Sequence, residues 1–173
     1  MASRFLHTAW CDDIRQEVGN KPSLMGLYTG SIVLPQLPFT LPRLSLFNWL
    51  WTPIDQPFET EIELRLRRDD GHVLIDMRLN SSGEVEAGRN EVDATGIQVG
   101  TAFGIGPVEF PDGMKYLVVE ATVDGETIQG PKLRVKVDRQ LIDQIMPAGI
   151  KDLVDRATLV SPSLLPATHE RSG

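Results

Sequence analysis

The segment Thr60-Glu61-Ile62-Glu63-Leu64-Arg65-Leu66-Arg67 alternates between polar and apolar side chains at every step. This period of two is typical of a β-strand that buries one face and leaves the other in water. Asp70-Gly71 follows and supplies the residues that tight turns favour, because both tolerate a positive φ at low cost. The alternation then resumes at Val73, Ile75, Met77 and Leu79. Residues 60–79 therefore predict a β-hairpin.

Shorter strand signals extend outward from this hairpin in both directions. Downstream, residues 117–123 alternate again, Asp124-Gly125 supplies a turn, and residues 133–137 form a return strand after a bend at Gly130-Pro131. Upstream, the runs 4–15, 23–34 and 43–52 have strand character, and downstream so does the short run 97–105. Roughly seven or eight short strands with frequent turns are typical of an antiparallel sandwich or barrel, and we favour the sandwich.

The C-terminal part changes to helical spacing. Apolar residues recur at 141, 142, 145 and 146 and again at 150, 153, 154 and 157, with Asp138 as a candidate N-cap. Pro162 and Pro166 then interrupt the C-terminal segment. We expect a β-sandwich domain over residues 1–138, a helical extension over 139–158 and a poorly ordered tail over 159–173.

Composition and charge exclude several classes of partner. The 173 residues are 41% apolar and 24% charged, which fits one globular domain. The net charge of −7 argues against binding to nucleic acid or to an anionic membrane. The acidity is concentrated in residues 55–126, which hold 6 basic and 16 acidic side chains, whereas the first 54 residues are near neutral. We therefore expect a partner to bind the N-terminal portion.

Targeting signals are also missing from the sequence. The first residues are too polar for a signal peptide, and no apolar run is long enough to cross a membrane as a helix. Cys11 is the single cysteine, which fits a reducing compartment. We expect a cytoplasmic protein of bacterial type.

Motifs for catalysis and cofactor binding are incomplete. The glycines of residues 100–106 do not complete a dinucleotide-binding fingerprint, because residue 109 is Glu. His7 and Cys11 would lie about 13 Å apart on a strand, too far for one metal ion. We expect Cys11 to be a buried, inert thiol. The sequence therefore predicts no catalytic residue, no metal site and no cofactor.

Three large rings form the clearest candidate for a binding surface. Phe47, Trp49 and Trp51 recur at every second residue, and Leu44, Leu46 and Leu50 take the opposite face. A strand that is apolar on both faces is either covered on both sides or exposes a binding patch. The C-terminal helices could cover the rings, or a second copy or another protein could bind them. We predict that Phe47, Trp49 and Trp51 bind a partner.

The segment from Cys11 to Tyr28 carries a family resemblance. It reads C-D-D-I-R-x-E-x-G-x-K-x-S-L-x-G-x-Y, which resembles the N-terminal motif of a family of uncharacterised bacterial proteins. Residues 32–35 and 41–44 resemble that family's next segment. The resemblance implies no activity. The polar side chains in this segment are either structural or a recognition cluster: Asp12, Asp13, Arg15, Glu17 and Lys21.

The hairpin from Lys115 to Val137 resembles the last two strands of immunoglobulin-like domains, with Tyr116 near the position of their tyrosine corner. This implies a fold and carries no function. We expect an all-β, immunoglobulin-like antiparallel sandwich with a short helical C-terminal extension. The predicted role is a non-enzymatic protein–protein interaction or self-association module. The alternatives are an accessory component of a larger bacterial or phage-borne assembly, and a small-ligand binder or enzyme that uses the polar cluster of residues 11–21.

Overall fold

The computed structural model describes residues 3–19, 21–83, 85 and 93–140 of the chain. Within these residues the protein is all-β, as predicted, and its strands number thirteen. In chain order they are β1 Phe5–Cys11, β2 Asp13–Glu17, β3 Lys21–Met25, β4 Ser31–Leu34, β5 Phe39–Leu41, β6 Leu44–Pro53, β7 Ile62–Arg68, β8 Val73–Leu79, β9 Gly96–Ile105, β10 Val108–Phe110, β11 Tyr116–Val123, β12 Glu126–Gln129 and β13 Leu133–Val137.

The hairpin predicted from residues 60–79 is confirmed. Strands β7 and β8 pair antiparallel along their length, with an irregularity between Leu66 and Arg67. The apolar residues of the alternating β7 segment are buried, and its charged residues face outward. The connection is a loop over residues 69–72 in which Gly71 has a φ of +87° and Asp70 accepts a hydrogen bond from the amide of His72 at 2.9 Å. Local alternation and turn chemistry together specify this element.

The second predicted hairpin is also present, with a break in its return strand. Asp124 and Gly125 form a two-residue turn between β11 and β12, and their φ values of +52° and +79° suit a tight hairpin turn. Gly130-Pro131 then ends the pairing of β12, and β13 resumes it beside the start of β11. The proline has no amide hydrogen to donate, so the return strand divides at this point.

Tyr116 differs from the tyrosine corner suggested by the resemblance to immunoglobulin-like domains. Its hydroxyl makes no hydrogen bond with any part of the chain that the structure describes. Its ring instead lies 4.0 Å from the ammonium group of Lys132, a cation–π contact. The residue therefore links β11 to the residue just before β13, and it does so through its ring rather than its hydroxyl.

The larger sheet has the order β4-β13-β11-β7-β8, with β12 also paired to β11. Strands β13 and β4 run parallel, from the pair Arg134–Ser31 to the pair Val137–Leu34. This pair departs from the purely antiparallel arrangement that we expected. The two strands are about a hundred residues apart in the chain, so no turn signal specifies their relative direction.

The smaller sheet has the order β1-β6-β9, and both outer strands are antiparallel to β6. Its inner side chains, including Leu46 and Leu50, belong to the same hydrophobic cluster as Leu64 and Leu117 of the larger sheet. Polar residues are also buried on this inner face, and Asn48 is one of them. It accepts a hydrogen bond from Thr8 at 2.8 Å and donates one to Thr101 at 3.3 Å, so its amide is satisfied across three strands.

The predicted helical extension and tail are almost wholly outside the described residues, which end at residue 140. Asp138 accepts a hydrogen bond from the amide of Gln140 at 3.0 Å, as a helix N-cap does. In the part of the chain that the structure describes, no helix is long and apolar enough to cross a membrane.

Candidate functional site

The three predicted partner-binding rings lie on the outer face of the smaller sheet. Phe47, Trp49 and Trp51 alternate along β6 with buried residues, and each of the three is half-buried rather than enclosed. The inner positions of β6 fill the core, so the outer rings are not needed to complete it. The alternative that the C-terminal helices cover these rings concerns residues beyond the described part of the chain.

Strand β1 adds two residues that the sequence analysis did not include. Antiparallel pairing sets Phe5 opposite Trp51 and His7 opposite Trp49. The Phe5 ring stacks on Trp51 with centroids 5.3 Å apart, and it remains 51% exposed. The His7 and Trp49 rings are 5.4 Å apart, and Phe47 lies 4.4 Å from Trp49. We call Phe5, His7, Phe47, Trp49 and Trp51 the aromatic face.

Strand β9 pairs with β6 and lies along one edge of the aromatic face. The residues of β9 that face outward are small or polar. Among them, Gly100 pairs with Trp49 and Ala102 pairs with Phe47. At the end of this strand, a Cβ on Gly96 would lie 2.3 Å from Cε2 of Trp51, so the indole occupies the space that any larger residue would need. The absence of a side chain at Gly96 lets the ring approach the backbone of the strand closely.

The outer faces of the two sheets differ in charge. His7 is the single titratable side chain among the described residues that we assign to the aromatic face. The larger sheet instead carries cross-strand ion pairs on its outer face: Arg67–Glu120, Arg65–Asp76 and Arg78–Glu63. The strands of the larger sheet therefore carry charges of both signs, and most of the acidic residues of 55–126 lie outside these strands.

The β2–β3 ribbon lies beside one end of β6, where the rings stop. Cys11 and Ser45 pair here and are fully buried. The thiol of Cys11 lies 3.7 Å from the carbonyl oxygen of Ser45. Burial raises the pKa of Cys11, and the nearby carboxylates of Asp12 and Asp13 raise it further. The thiol is therefore kept protonated at neutral pH, when it is a poor nucleophile.

Asp12 has a structural contact within the ribbon. The hydroxyl of Tyr28 donates a hydrogen bond to its carboxylate, and the Ser45 hydroxyl donates to its carbonyl oxygen at 3.1 Å. Burial raises the pKa of Tyr28, and the hydrogen bond to Asp12 adds to the increase. Gly26 lies against this carboxylate, because a Cβ on Gly26 would be 1.9 Å from Oδ2 of Asp12. The ribbon is thus fixed by a contact that requires glycine at 26.

The remaining members of the polar cluster are spread along the ribbon. Asp13 pairs with Arg43 at 2.9 Å and with Arg15 at 3.8 Å. Glu17 and Lys21 lie opposite each other at the far end of the ribbon and are exposed. The described residues contain no group of His, Cys, Asp or Glu side chains arranged to hold a metal ion. The structure therefore does not gather the cluster around one point.

Comparison with known proteins gives one family. A family model described as a family of unknown function, DUF6941, matches residues 7–136. No curated protein and no solved structure matches the chain. The matched range includes the aromatic residues of β6 and all of the polar cluster.

Proposed function

Since the chain belongs to DUF6941, a family of unknown function, we propose a role from its own geometry: it is a protein-interaction module that self-associates through the aromatic face. The observation that carries this proposal is two groups of contacting rings, Phe5 with Trp51 and His7 with Trp49 and Phe47, on one outer face that the core does not use. Aromatic residues, above all Trp, are the residue types that contribute most to protein interfaces.

Burial of this face would remove a large area of apolar surface from contact with water. A Trp or Phe side chain contributes roughly 150–250 Å² of surface, and apolar burial is favourable by about 25 cal/mol per Å². The rings of the aromatic face already contact one another, so little side-chain freedom remains to be lost on binding. Pre-ordered rings of this kind suit an interface.

A second copy of the chain is the occupant that the charge distribution favours. In a symmetric dimer the same patch meets itself, so a charge near the twofold axis would face its own copy. The aromatic face carries only His7 as a titratable group, whereas the ion-paired face of the larger sheet carries both signs at fixed positions. The net charge of −7 would make two copies repel elsewhere, which favours contact through the uncharged face.

Light scattering on the full 173-residue chain tests this proposal. We expect the wild type to give a dimer mass of 38.4 kDa, twice the 19.2 kDa of one chain, at a concentration of about 100 µM. Trp49→Asp places a charge in the centre of the face and should weaken association about 30-fold or more. Val73→Asp, at an exposed apolar position on the larger sheet, is the matched control and should leave the dimer intact.

A wild-type monomer at that concentration would exclude self-association. If the monomer instead binds a different protein and Trp49→Asp abolishes that binding, the chain is an accessory component of a larger assembly, bacterial or phage-borne. Equal effects of the two Asp substitutions would show that neither result reports on the aromatic face. The polar cluster supplies no second candidate function, because its side chains are spread along an exposed ribbon.

We also propose that the two sheets form an immunoglobulin-like sandwich, in a bacterial protein that acts in the cytoplasm. The shared hydrophobic cluster supports the sandwich, because it includes the inner residues of both sheets. The single, buried cysteine is compatible with a reducing compartment. The test of the architecture is an experimental structure of the chain, in which the sheets should pack face to face.

A further inference from the structure

A row of cations lies on the outer face of β13. Lys132 precedes the strand by one residue, and Arg134 and Lys136 follow at every second position, so the three side chains share a face and all are exposed. Alternate residues of a strand are about 6.6 Å apart, which is within the reach of long basic side chains toward one small anion. Among the described residues, none of the three forms an ion pair.

This lack of counterions is unusual for the sheet. On β7 and β8, each outward arginine has a carboxylate partner, such as Asp76 at 3.0 Å from Arg65 and Glu63 at 2.9 Å from Arg78. Residues 127–138 reverse the acidic composition of the middle of the chain, because they hold three basic side chains and one acidic one, Asp138. The local charge is therefore positive although the whole chain is negative.

The cations line a cleft together with hydroxyl groups from the start of the neighbouring strand β4 and from the residues just before it. The cleft has a volume of about 410 Å³ and is lined by Thr29, Gly30, Ser31, Lys132, Arg134 and Lys136. Parallel pairing sets Arg134 beside Ser31, and the amide of Arg134 donates to the carbonyl of Gly30 at 3.1 Å. The backbone pairing thus sets Arg134 beside Ser31, and the hydroxyl groups of Ser31 and Thr29, which line the same cleft, can donate hydrogen bonds.

We propose that this cleft, which we call the basic cleft, binds a small ligand through a phosphate group. A phosphate monoester carries about two negative charges at pH 7 and several acceptor oxygens, which suits three cations and two hydroxyls. The planar fork of Arg134 can donate two parallel hydrogen bonds to such a group, and lysines bind it as point charges. The cleft volume exceeds that of the phosphate alone and leaves room for a small organic portion.

The proposal is independent of self-association, because the basic cleft lies on the larger sheet and the aromatic face lies on the smaller one. It also agrees with the expectation that the chain does not bind nucleic acid. A long polyanion would approach the whole acidic surface, whereas a small ligand meets mainly the local positive charge.

An NMR titration of the full chain with inorganic phosphate, and separately with glycerol 3-phosphate, tests this site. The ionic strength is held constant with NaCl, and acetate is titrated in parallel. We expect saturable shift changes confined to residues 29–31 and 132–136, with either phosphate ligand. Arg134→Gln combined with Lys136→Gln should weaken binding about tenfold or more, since two charge-assisted contacts are lost. Ser31→Ala should weaken it less, by about threefold to tenfold.

The matched control is Arg78→Gln, which removes an exposed, ion-paired arginine from β8, at the opposite edge of the same sheet. It should leave phosphate binding unchanged. The proposal is overturned by shifts that do not saturate or that spread over the surface. Equal binding of acetate would also overturn it, as would equal losses in the control and in the double variant. If a single-stranded oligonucleotide binds more tightly than both phosphate ligands, the ligand of the basic cleft is a nucleic acid and the small-ligand proposal is wrong.

Discussion

The indole of Trp51 occupies the space next to Gly96 that a side chain would fill. A Cβ on Gly96 would lie 2.3 Å from Cε2 and 2.4 Å from Nε1 of that ring. Gly100, on the same face of the same strand, has more room, because its Cβ would be 3.7 Å from the nearest atom of Phe47. The two glycines therefore differ in the distance between an added Cβ and the nearest ring of the aromatic face.

We predict that Gly96→Ala displaces the Trp51 ring and weakens self-association, whereas Gly100→Ala does neither. Ala is otherwise favoured over Gly in a strand by roughly 0.5–1 kcal/mol, so neither variant should unfold the chain. The measurements are the position of the Trp51 indole N–H signal by NMR and the mass by light scattering. Identical behaviour of the two variants would contradict the described packing of Trp51 on Gly96.

A second prediction concerns the glycines of the β2–β3 ribbon. Gly19 and Gly26 both have a positive φ, of +82° and +67°, but only Gly26 lies against another side chain, the carboxylate of Asp12. Gly19→Ala should cost about 1–2 kcal/mol through its backbone conformation alone. Gly26→Ala should cost at least about 1 kcal/mol more, because it also breaks the hydrogen bond between Tyr28 and Asp12.

Urea denaturation of both glycine variants measures these costs. A titration of the phenol by ultraviolet absorbance gives a second readout, because the contact with Asp12 contributes to the raised pKa of Tyr28. In Gly26→Ala this pKa should move back toward the ordinary value, and in Gly19→Ala it should not. Equal costs in stability would show that the Asp12 contact is not what requires glycine at 26.

A third prediction concerns pH and the carboxylate of Asp124. It accepts hydrogen bonds from Arg4 at 2.6 Å and from the amide and hydroxyl of Thr60 at 2.8 and 2.9 Å. Burial opposes ionisation, but these hydrogen bonds outweigh it and lower the pKa of Asp124. A lowered native pKa means that the carboxylate stabilises the fold above its unfolded pKa of about 4, and that this is lost as pH falls through the native pKa.

Asp124→Asn should therefore destabilise the protein by about 2 kcal/mol at pH 7, and this difference should shrink as the pH falls below about 4. Asn tolerates the positive φ at this position, so the substitution removes mainly the charge. Urea denaturation at a series of pH values from 7 to 3 measures the difference. Asp112→Asn, in an exposed turn, is the control and should change stability by less than about 0.5 kcal/mol. A difference that stays constant over this pH range would contradict the role of the Asp124 charge.

Local sequence was enough to predict the hairpins but not the arrangement of distant strands. Alternation and turn residues identified β7, β8 and the Asp124-Gly125 turn, because neighbours in the chain specify these elements. The parallel pairing of β13 with β4 depends on segments about a hundred residues apart. Such segments come together only when the whole core packs, so no local sequence pattern predicts their pairing.

The candidate site was predicted in part for the same reason. The spacing of the rings on β6 indicated that they share a face, and the structure places them on the outside of the smaller sheet. Phe5 and His7 join them through the register of β1 against β6, which the alternation of β1 alone does not specify. The basic residues of β13 alternate visibly in the sequence, but their lack of counterions emerges only after every neighbouring strand is in place.

The most direct test of self-association is to identify what contacts the aromatic face in solution. An isotope-filtered NOE experiment on a mixture of labelled and unlabelled full-length chains detects only contacts between different molecules. The aromatic-face proposal predicts intermolecular NOEs between the Trp49 ring and protons of Phe5, Phe47 or Ala102 of a second copy. The opposite result would be no intermolecular NOE to Trp49, while a conventional NOE experiment shows contacts of Trp49 with its own molecule, including methyl groups of residues 141–173. That result would mean that the chain covers its own aromatic face.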